Sequence, residues 1–187
     1  MFKIIELDLP GVFILNPLII SDRRGDFTEI YKEEEYQSFN FPNFVQDNVS
    51  SSKKNVIRGF HFQLEPFHQA KLVTAITGKI FDVIADIRPS SPMFGKHIST
   101  ILDSKKRNLV FIPPGFAHAF CTLSEESTVL YKNSSVFHKE YYTGIRWNDP
   151  DLAVKWPTDN PIISEKDKEL PFLKDLLSSD ILLSDVD

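Results

Sequence analysis

Arg58-Gly59-Phe60-His61 sets a fixed cation and a titratable imidazole three positions apart, inside the stretch Val56–Gln63. The β-branched start and the apolar positions of that stretch read as a strand. On strict alternation Gly59 and His61 share one face, and Arg58 shares the other with Phe60 and Phe62. A glycine inside a strand often marks a bulge, and a bulge here would turn Arg58 towards the face of His61. That arrangement suits an anionic ligand whose body lies over the imidazole. The plainer alternative is a strand with one half-buried histidine and one surface arginine.

Four further residues qualify on type. Lys71 opens the next strand; it is either a solvated end residue or a cation facing the interior, able to stabilise a developing oxyanion. His118 follows Pro113-Pro114-Gly115-Phe116-Ala117 and has Phe120 and Thr122 on its strand face. It reads as a hydrogen-bonded core histidine, or as a metal ligand together with His61. The chain lacks a close H-x-H pair with a suitably placed carboxylate, so no metal is expected. Tyr131, in phase with Val129 and Asn133, reads equally well as an aromatic wall of the core or as a site phenol. Asp167 stands at the third position of a helix, where a carboxylate favours the dipole, and spacing alone does not single it out. There is no Gly-rich phosphate loop, nucleophile elbow or Cys-His pairing. Acid-base chemistry or plain binding remains.

Many short strands must carry these residues. Residues 1–20 alternate short apolar runs with breaks at Pro10-Gly11 and Asn16-Pro17, which predicts two or three strands. Ser21–Glu29 reads as a polar loop entering a strand, and Glu33–Phe39 as a short helix. Phe44–Ser50 reads as a strand with Gln46 and Asn48 on one face. Ala70–Thr77 and Lys79–Ile87 read as a strand pair joined at Gly78. In the second, Phe81, Val83, Ala85 and Ile87 alternate with Asp82, Ile84 and Asp86. Strands are expected near 94–102, 107–112, 118–124 and 127–134, with a tight turn at Pro113-Pro114-Gly115. This spacing argues for an all-β barrel or sandwich. Gly144–Trp156 reads as irregular. Ser164–Leu177 is the best helix, opened by an S-x-x-D cap from Ser164 and Asp167. The tail Ser178–Asp187 is acidic and expected to be loose at its end.

The 187 residues fit one domain, with no repeat, linker or low-complexity segment. A hydrophobic content of 42% with 16 Phe supplies a sizeable core. The net charge is −5 and no basic run occurs, so no nucleic-acid partner is expected. The single cysteine, Cys121, leaves no internal disulfide and suits a reducing cytoplasm. No apolar run approaches a membrane span, and Glu6 comes too early for a signal peptide, so no membrane partner is expected.

An ordered set of segments goes beyond these separate readings. Asp22-Arg23-Arg24-Gly25-Asp26-Phe27-Thr28-Glu29 precedes Phe44-Val45-Gln46-Asp47-Asn48, and Arg58-Gly59-Phe60-His61-Phe62-Gln63 precedes Gln69-Ala70-Lys71-Leu72-Val73. Phe81-Asp82-Val83, Asp86–Gly95 and Ile112–Phe120 follow, and then Leu130-Tyr131-Lys132, Gly144–Pro150 with Leu152, and Ile163–Asp167. In this order and spacing, from about Gly11 to Asp167, the chain closely resembles the dTDP-4-dehydrorhamnose 3,5-epimerase family. The resemblance implies a cupin-like jelly roll with short helices, the main one C-terminal, working as a homodimer without a metal or organic cofactor. It implies His61 as the general base, Asp167 as its orienting carboxylate, Tyr131 as the opposing acid and Lys71 beside the enolate oxygen. Gln46, Asn48, Arg58 and His118 would line the sugar and diphosphate site. Arg24, Phe27 and Glu29 match the part that helps bind nucleotide, partly across the dimer, and Trp147 would close the pocket near the nucleotide. Family members commonly have an acidic residue and Arg where this chain has Tyr142 and Thr143, and often a second tyrosine where it has Phe137. These differences bear on nucleotide contacts and on whether both carbons are processed.

The implied substrate is a dTDP-linked 4-keto-6-deoxyhexose. Its C3 and C5 protons flank the ketone, so removal of either gives an enolate. The alternatives on the same scaffold are a single-carbon 3-epimerase, a 3,4-ketoisomerase, a non-catalytic nucleotide-sugar binding module, and a metal-dependent cupin.

Overall fold

The computed structural model describes residues 2–178. The acidic tail lies outside the described residues, apart from Ser178 at the end of the last helix. In chain order β1 (Phe2–Glu6) and β2 (Phe13–Pro17) pair antiparallel, and β3 (Ile20–Asp22) and β4 (Gly25–Phe27) form a separate exposed hairpin. The predicted polar loop is therefore a two-stranded projection. After α1 (Glu33–Gln37) come β5 (Gln46–Lys53), β6 (Ile57–Gln63), β7 (Lys71–Thr77) and β8 (Lys79–Asp86). Then follow β9 (His97–Asp103), β10 (Leu109–Ile112), β11 (Phe116–Thr122), β12 (Glu126–Asn133) and the short β13 (Tyr142–Gly144).

Two antiparallel sheets face each other. One has the order β1-β2-β10-β7-β12-β5 and the other β13-β6-β11-β8-β9. Strands β6, β7 and β8 change sheet at each step, as do β10, β11 and β12. This is the jelly-roll sandwich that the resemblance implies, with short helices at its margins. The expected β7–β8 pair is corrected: β7 lies between β10 and β12, and β8 lies between β11 and β9 in the other sheet. Gly78 turns a corner between sheets. Its φ is +73°, and an added Cβ would collide with the Glu126 carbonyl.

The core forms three layers. Between the sheets, Val73, Val129 and Val110 meet Ile80, Ile84 and Phe120, all buried. The outer face of the β6–β8 sheet puts Phe60, Phe62, Val83 and Ala85 under Ile145, Leu152, Leu173 and Leu176. The outer face of the other sheet puts Leu72, Leu109 and Phe111 under Tyr36 and Phe41, with Phe41 and Phe111 stacked at 3.8 Å. The clean alternation of β8 therefore separates two buried faces. Its carboxylates at 82 and 86 are fully buried and paired, Asp86 with Arg88 Nη2 at 2.6 Å.

The long C-terminal helix expected over Ser164–Leu177 is two short ones, α2 (Glu165–Lys168) and α3 (Leu173–Ser178). Pro171 stands between them. It has no amide hydrogen to continue the helix and pushes Leu170 towards an extended conformation. The cap itself forms as the pattern predicts: the Asp167 amide donates to Ser164 Oγ at 3.1 Å.

Candidate active site

His61 lies in β6, opposite His118 of β11 and Gly144 of β13. On β11 the register advances two residues, His118 to Phe120, while β6 advances three, His61 to Arg58. This extra residue is the bulge that Gly59 suggested, and it brings Arg58 and His61 to one cavity. Gly59 has φ +108°, and a Cβ there would stand 2.8 Å from Ala119 Cα and strike the His118 carbonyl. Only glycine fits that backbone.

The cavity holds about 230 Å³ and opens between the sheets. Gln46, Asn48 and Ser50 of β5, Lys71 of β7, and Tyr131 and Asn133 of β12 line it from one sheet. From the other come Arg58 and His61 of β6, His118 and Phe120 of β11, and Tyr142 of β13. Period-two alternation explains the sets 46/48/50 and 131/133. His61 and Tyr131 thus share one space, on walls that belong to opposite sheets.

Asp167 reaches His61 from outside the cavity. His61 Nε2 donates to Asp167 Oδ1 at 2.7 Å, and the Gly59 amide donates to Oδ2 at 3.4 Å. Burial alone would raise the carboxyl. The His61 bond and charge, the Gly59 amide and Ser164 outweigh it and hold Asp167 below the ordinary aspartate value. An ionised Asp167 accepts only, so Nε2 carries the proton and Nδ1 is the free basic nitrogen. Burial is the largest influence on His61 and lowers its pKa, helped by the nearby charges of Lys71 and His118 and opposed by Asp167. The imidazole is therefore neutral, and able to accept a proton, at neutral pH.

Lys71 is buried and donates from Nζ to the His61 carbonyl at 2.9 Å. Burial pushes its pKa down to about 8, against the pull of Asp82. His118 Nε2 is 2.7 Å from Asp82 Oδ2, both buried, while Asp82 Oδ1 has no hydrogen-bond partner among the described residues. Tyr131 OH lies 2.8 Å from Ser50 Oγ. Burial raises the phenol well above its ordinary range, so it stays protonated as a donor. Arg58 is steadied by Nε donating to Ser52 Oγ at 2.9 Å and Nη2 donating to the Ser51 carbonyl at 3.1 Å. Gln46 Nε2 donates to Asn48 Oδ1 at 2.9 Å.

Four sequence candidates are not in this cavity. Arg24 and Phe27 line a separate cleft on the β3–β4 hairpin with Ile20 and Asp22, and Glu29 follows that hairpin, exposed. Arg24 Nη2 pairs with Asp22 at 2.6 Å. Trp147 sits in the loop after β13, where its carbonyl accepts from Trp156 Nε1 at 2.8 Å. Conversely, Asn133, Tyr142, Ser50, Gln69 and Asp82 belong to the site or its support and were not singled out as site residues. Asn133 shares the phase of Tyr131, and its buried Nδ2 has no hydrogen-bond partner among the described residues. Asp82 is an acid set among the apolar residues Ile80, Phe81, Val83 and Ile84 of its strand. Those two left a signal; Ser50 depends on the β5–β12 register and left none. Among the described residues no group of three or more His, Cys, Asp or Glu side chains is arranged to hold a metal.

The profile of the family described as dTDP-4-dehydrorhamnose 3,5-epimerase matches residues 6–175. The dTDP-4-dehydrorhamnose 3,5-epimerase of Shigella flexneri is 42% identical over 167 residues, which cover 88% of this chain and 92% of that protein. A crystal structure of the Legionella pneumophila 3,5-epimerase in complex with dTDP-4-keto-L-rhamnose superposes with a TM-score of 0.92 at 36% identity, covering 97% of both chains. ChmJ, a 3'-monoepimerase from Streptomyces bikiniensis in complex with dTDP-quinovose, superposes with a TM-score of 0.88 at 32% identity, over 94% of this chain and 90% of that one.

Proposed function

The chain belongs to the dTDP-4-dehydrorhamnose 3,5-epimerase family and is an isomerase of that type, and we propose that it inverts C3 and C5 of a dTDP-linked 4-keto-6-deoxyhexose through His61 and Tyr131. One observation carries the mechanism: the His61 imidazole and the Tyr131 phenol line one cavity from opposite sheets. A sugar ring lying between them meets a base on one face and an acid on the other.

His61 Nδ1 takes the proton from C3 or C5, and the C–H electron pair moves into the C3–C4 or C4–C5 bond as the ketone oxygen becomes an enolate. Asp167 balances the imidazolium that forms. The Lys71 ammonium supplies charge where the oxygen turns negative; one such donor is commonly worth about 3 kcal/mol of barrier. Tyr131 then gives its proton to the carbon from the far face, and exchange with solvent restores both groups. The substrate ketone is the electron sink, so this scheme calls on no metal or organic cofactor. Arg58 grips the diphosphate by paired hydrogen bonds, while Gln46, Asn48 and His118 hold the sugar.

Arg24, Phe27, Glu29 and Trp147 are assigned to the nucleotide, with the hairpin residues serving the site of a second copy in a homodimer. The projecting β3–β4 hairpin supports this, with Ile20 57% and Phe27 66% exposed. The whole chain, 1–187, is read as one cupin-like domain. It is assigned to the cytoplasm, where its nucleotide-linked substrate is made and Cys121 stays reduced; no helix among the described residues is long and apolar enough to cross a membrane.

The test is dTDP-4-keto-6-deoxyglucose in heavy water, followed by NMR. Deuterium at both C3 and C5 is expected. Label at C3 alone would make the protein a single-carbon epimerase, the activity of ChmJ, and binding without label would make it a non-catalytic module.

A further inference from the structure

Tyr142 lines the cavity yet has no part in the scheme above. It comes from β13, the edge strand paired to β6, and stands opposite Gln63. Its ring centroid is 5.2 Å from that of His61, with the planes at 42°. Phe137 packs against it edge-on at 5.2 Å, and Lys166 Nζ stands 4.4 Å over its ring. Phe137, Tyr142 and His61 therefore form a continuous row of rings from the cavity lip to the base. The second residue after Tyr142, Gly144, ties this strand down: an added Cβ would lie 2.9 Å from Leu170 Cδ1 and collide with the Phe60 carbonyl. The row is held from behind by the core.

We propose that Tyr142 is a positioning residue for the catalytic imidazole: its ring walls His61 off from water and holds it against Asp167. The proposal rests on the reading of His61 as the base. Among the described residues the imidazole has two contacts with defined geometry, the Asp167 bond and this ring contact. The bond orients Nε2, and the ring limits rotation about it. The ring also removes water from a group whose protonation decides the rate.

The charges around His61 come from every packed element. Asp167 on α2 raises its pKa, while Lys71 on β7 and His118 on β11 lower it, and burial lowers it most. Arg58 on β6 and Tyr131 on β12 also line the cavity, and Lys166 on α2 covers the Tyr142 ring. Trimming Tyr142 keeps all of these side chains and opens the imidazole to water; Lys166 loses the ring it stands over. Rehydration favours the charged form, so the His61 pKa moves up towards its value in water.

The experiment is a nitrogen-15 imidazole NMR titration of the full chain, with the His61→Asn spectrum assigning the signal. In Tyr142→Leu the His61 midpoint is expected to rise by about half a unit or more, as further hydration of a half-buried imidazole requires. In Tyr142→Phe, which keeps the ring, it stays within about 0.2 unit of wild type. Circular dichroism identical to that of wild type reports an intact fold in both. If the Leu variant does not fold, Tyr142→Met is read the same way. The acid limb of kcat/KM for deuterium incorporation moves with the titration. A His61 midpoint unmoved in the Leu variant, or an equal shift in the Phe variant, overturns the proposal. Retained exchange in His61→Asn would instead overturn the base assignment and leave the titration result as it stands.

Discussion

His61 Nε2 and Asp167 Oδ1 meet at 2.7 Å although 106 positions separate them in the chain. The contact joins β6, flanked by β13 and β11, to the four-residue helix α2. The same carboxylate takes the Gly59 amide, so one side chain fixes the tautomer of the imidazole and ties down the bulge beside it. The capping bond from Asp167 N to Ser164 Oγ sets the helix that presents it.

Replacing His61 removes the proton acceptor and leaves the sheet. His61→Asn is expected to abolish deuterium incorporation at both carbons while circular dichroism stays that of wild type. Asp167→Asn keeps the size of the side chain but loses the charge that balances the imidazolium. Its exchange rate is expected to fall by about 10–100-fold, the usual effect of losing such an orienting partner. Wild-type exchange in either variant would remove that residue from the mechanism.

Tyr131→Phe separates the two halves of the reaction. Proton removal depends on His61 and inversion depends on the opposing donor. Washout of substrate label into water is expected to persist while formation of the inverted sugar falls much further. Equal losses in both assays would count against a donor on the opposite face.

The pH profile follows from two displaced groups. His61 is held below the ordinary histidine value, chiefly by burial, so the neutral base persists on acidification to a pH below ~6.5. Activity is lost as pH falls through that lowered pKa. Lys71, at about 8, loses its charge as pH rises through that value, and activity falls with it. kcat/KM is therefore expected to be bell-shaped, with its alkaline limb near pH 8. Lys71→Arg, which stays charged, is expected to flatten that limb, and Lys71→Met to cost on the order of 10²–10³ in rate. An alkaline limb unchanged in the Arg variant would assign it elsewhere.

Gly59→Ala tests the bulge. The backbone at φ +108° and the contacts a Cβ would make with Ala119 and His118 leave no room for it. A loss of about 1–3 kcal/mol in stability is expected for a strained residue of this kind. It would be read as a lower denaturant midpoint with the m-value unchanged. Affinity for dTDP is expected to weaken as well, because the bulge brings Arg58 to the cavity. Wild-type stability would show that the strand relaxes around the methyl group.

Strand β6, with its glycine and its Arg–His spacing, was legible because alternation and bulge chemistry are local. So were Gln46 and Asn48 on one face and Tyr131 in phase with Asn133. A glycine between two apolar runs marks a hairpin or a change of sheet with the same residues, so Gly78 does not reveal that β7 and β8 lie in different sheets. Pro171 was present in the helical stretch, and its interruption outweighs the Leu170/Leu173/Leu177 periodicity.

By itself the sequence determined the all-β class, most strand positions, the family and the residue types of the chemistry, since each is written in short-range pattern or ordered motifs. Only the tertiary structure decided that Ser50 holds Tyr131, that Tyr142 flanks the imidazole, that one carboxylate takes both His61 and the Gly59 amide, and that the β3–β4 residues and Trp147 lie outside the cavity of their own chain. Those relationships join side chains from elements far apart in sequence. They are set by which strands share a sheet and how two sheets face each other, and spacing along the chain does not encode that distance.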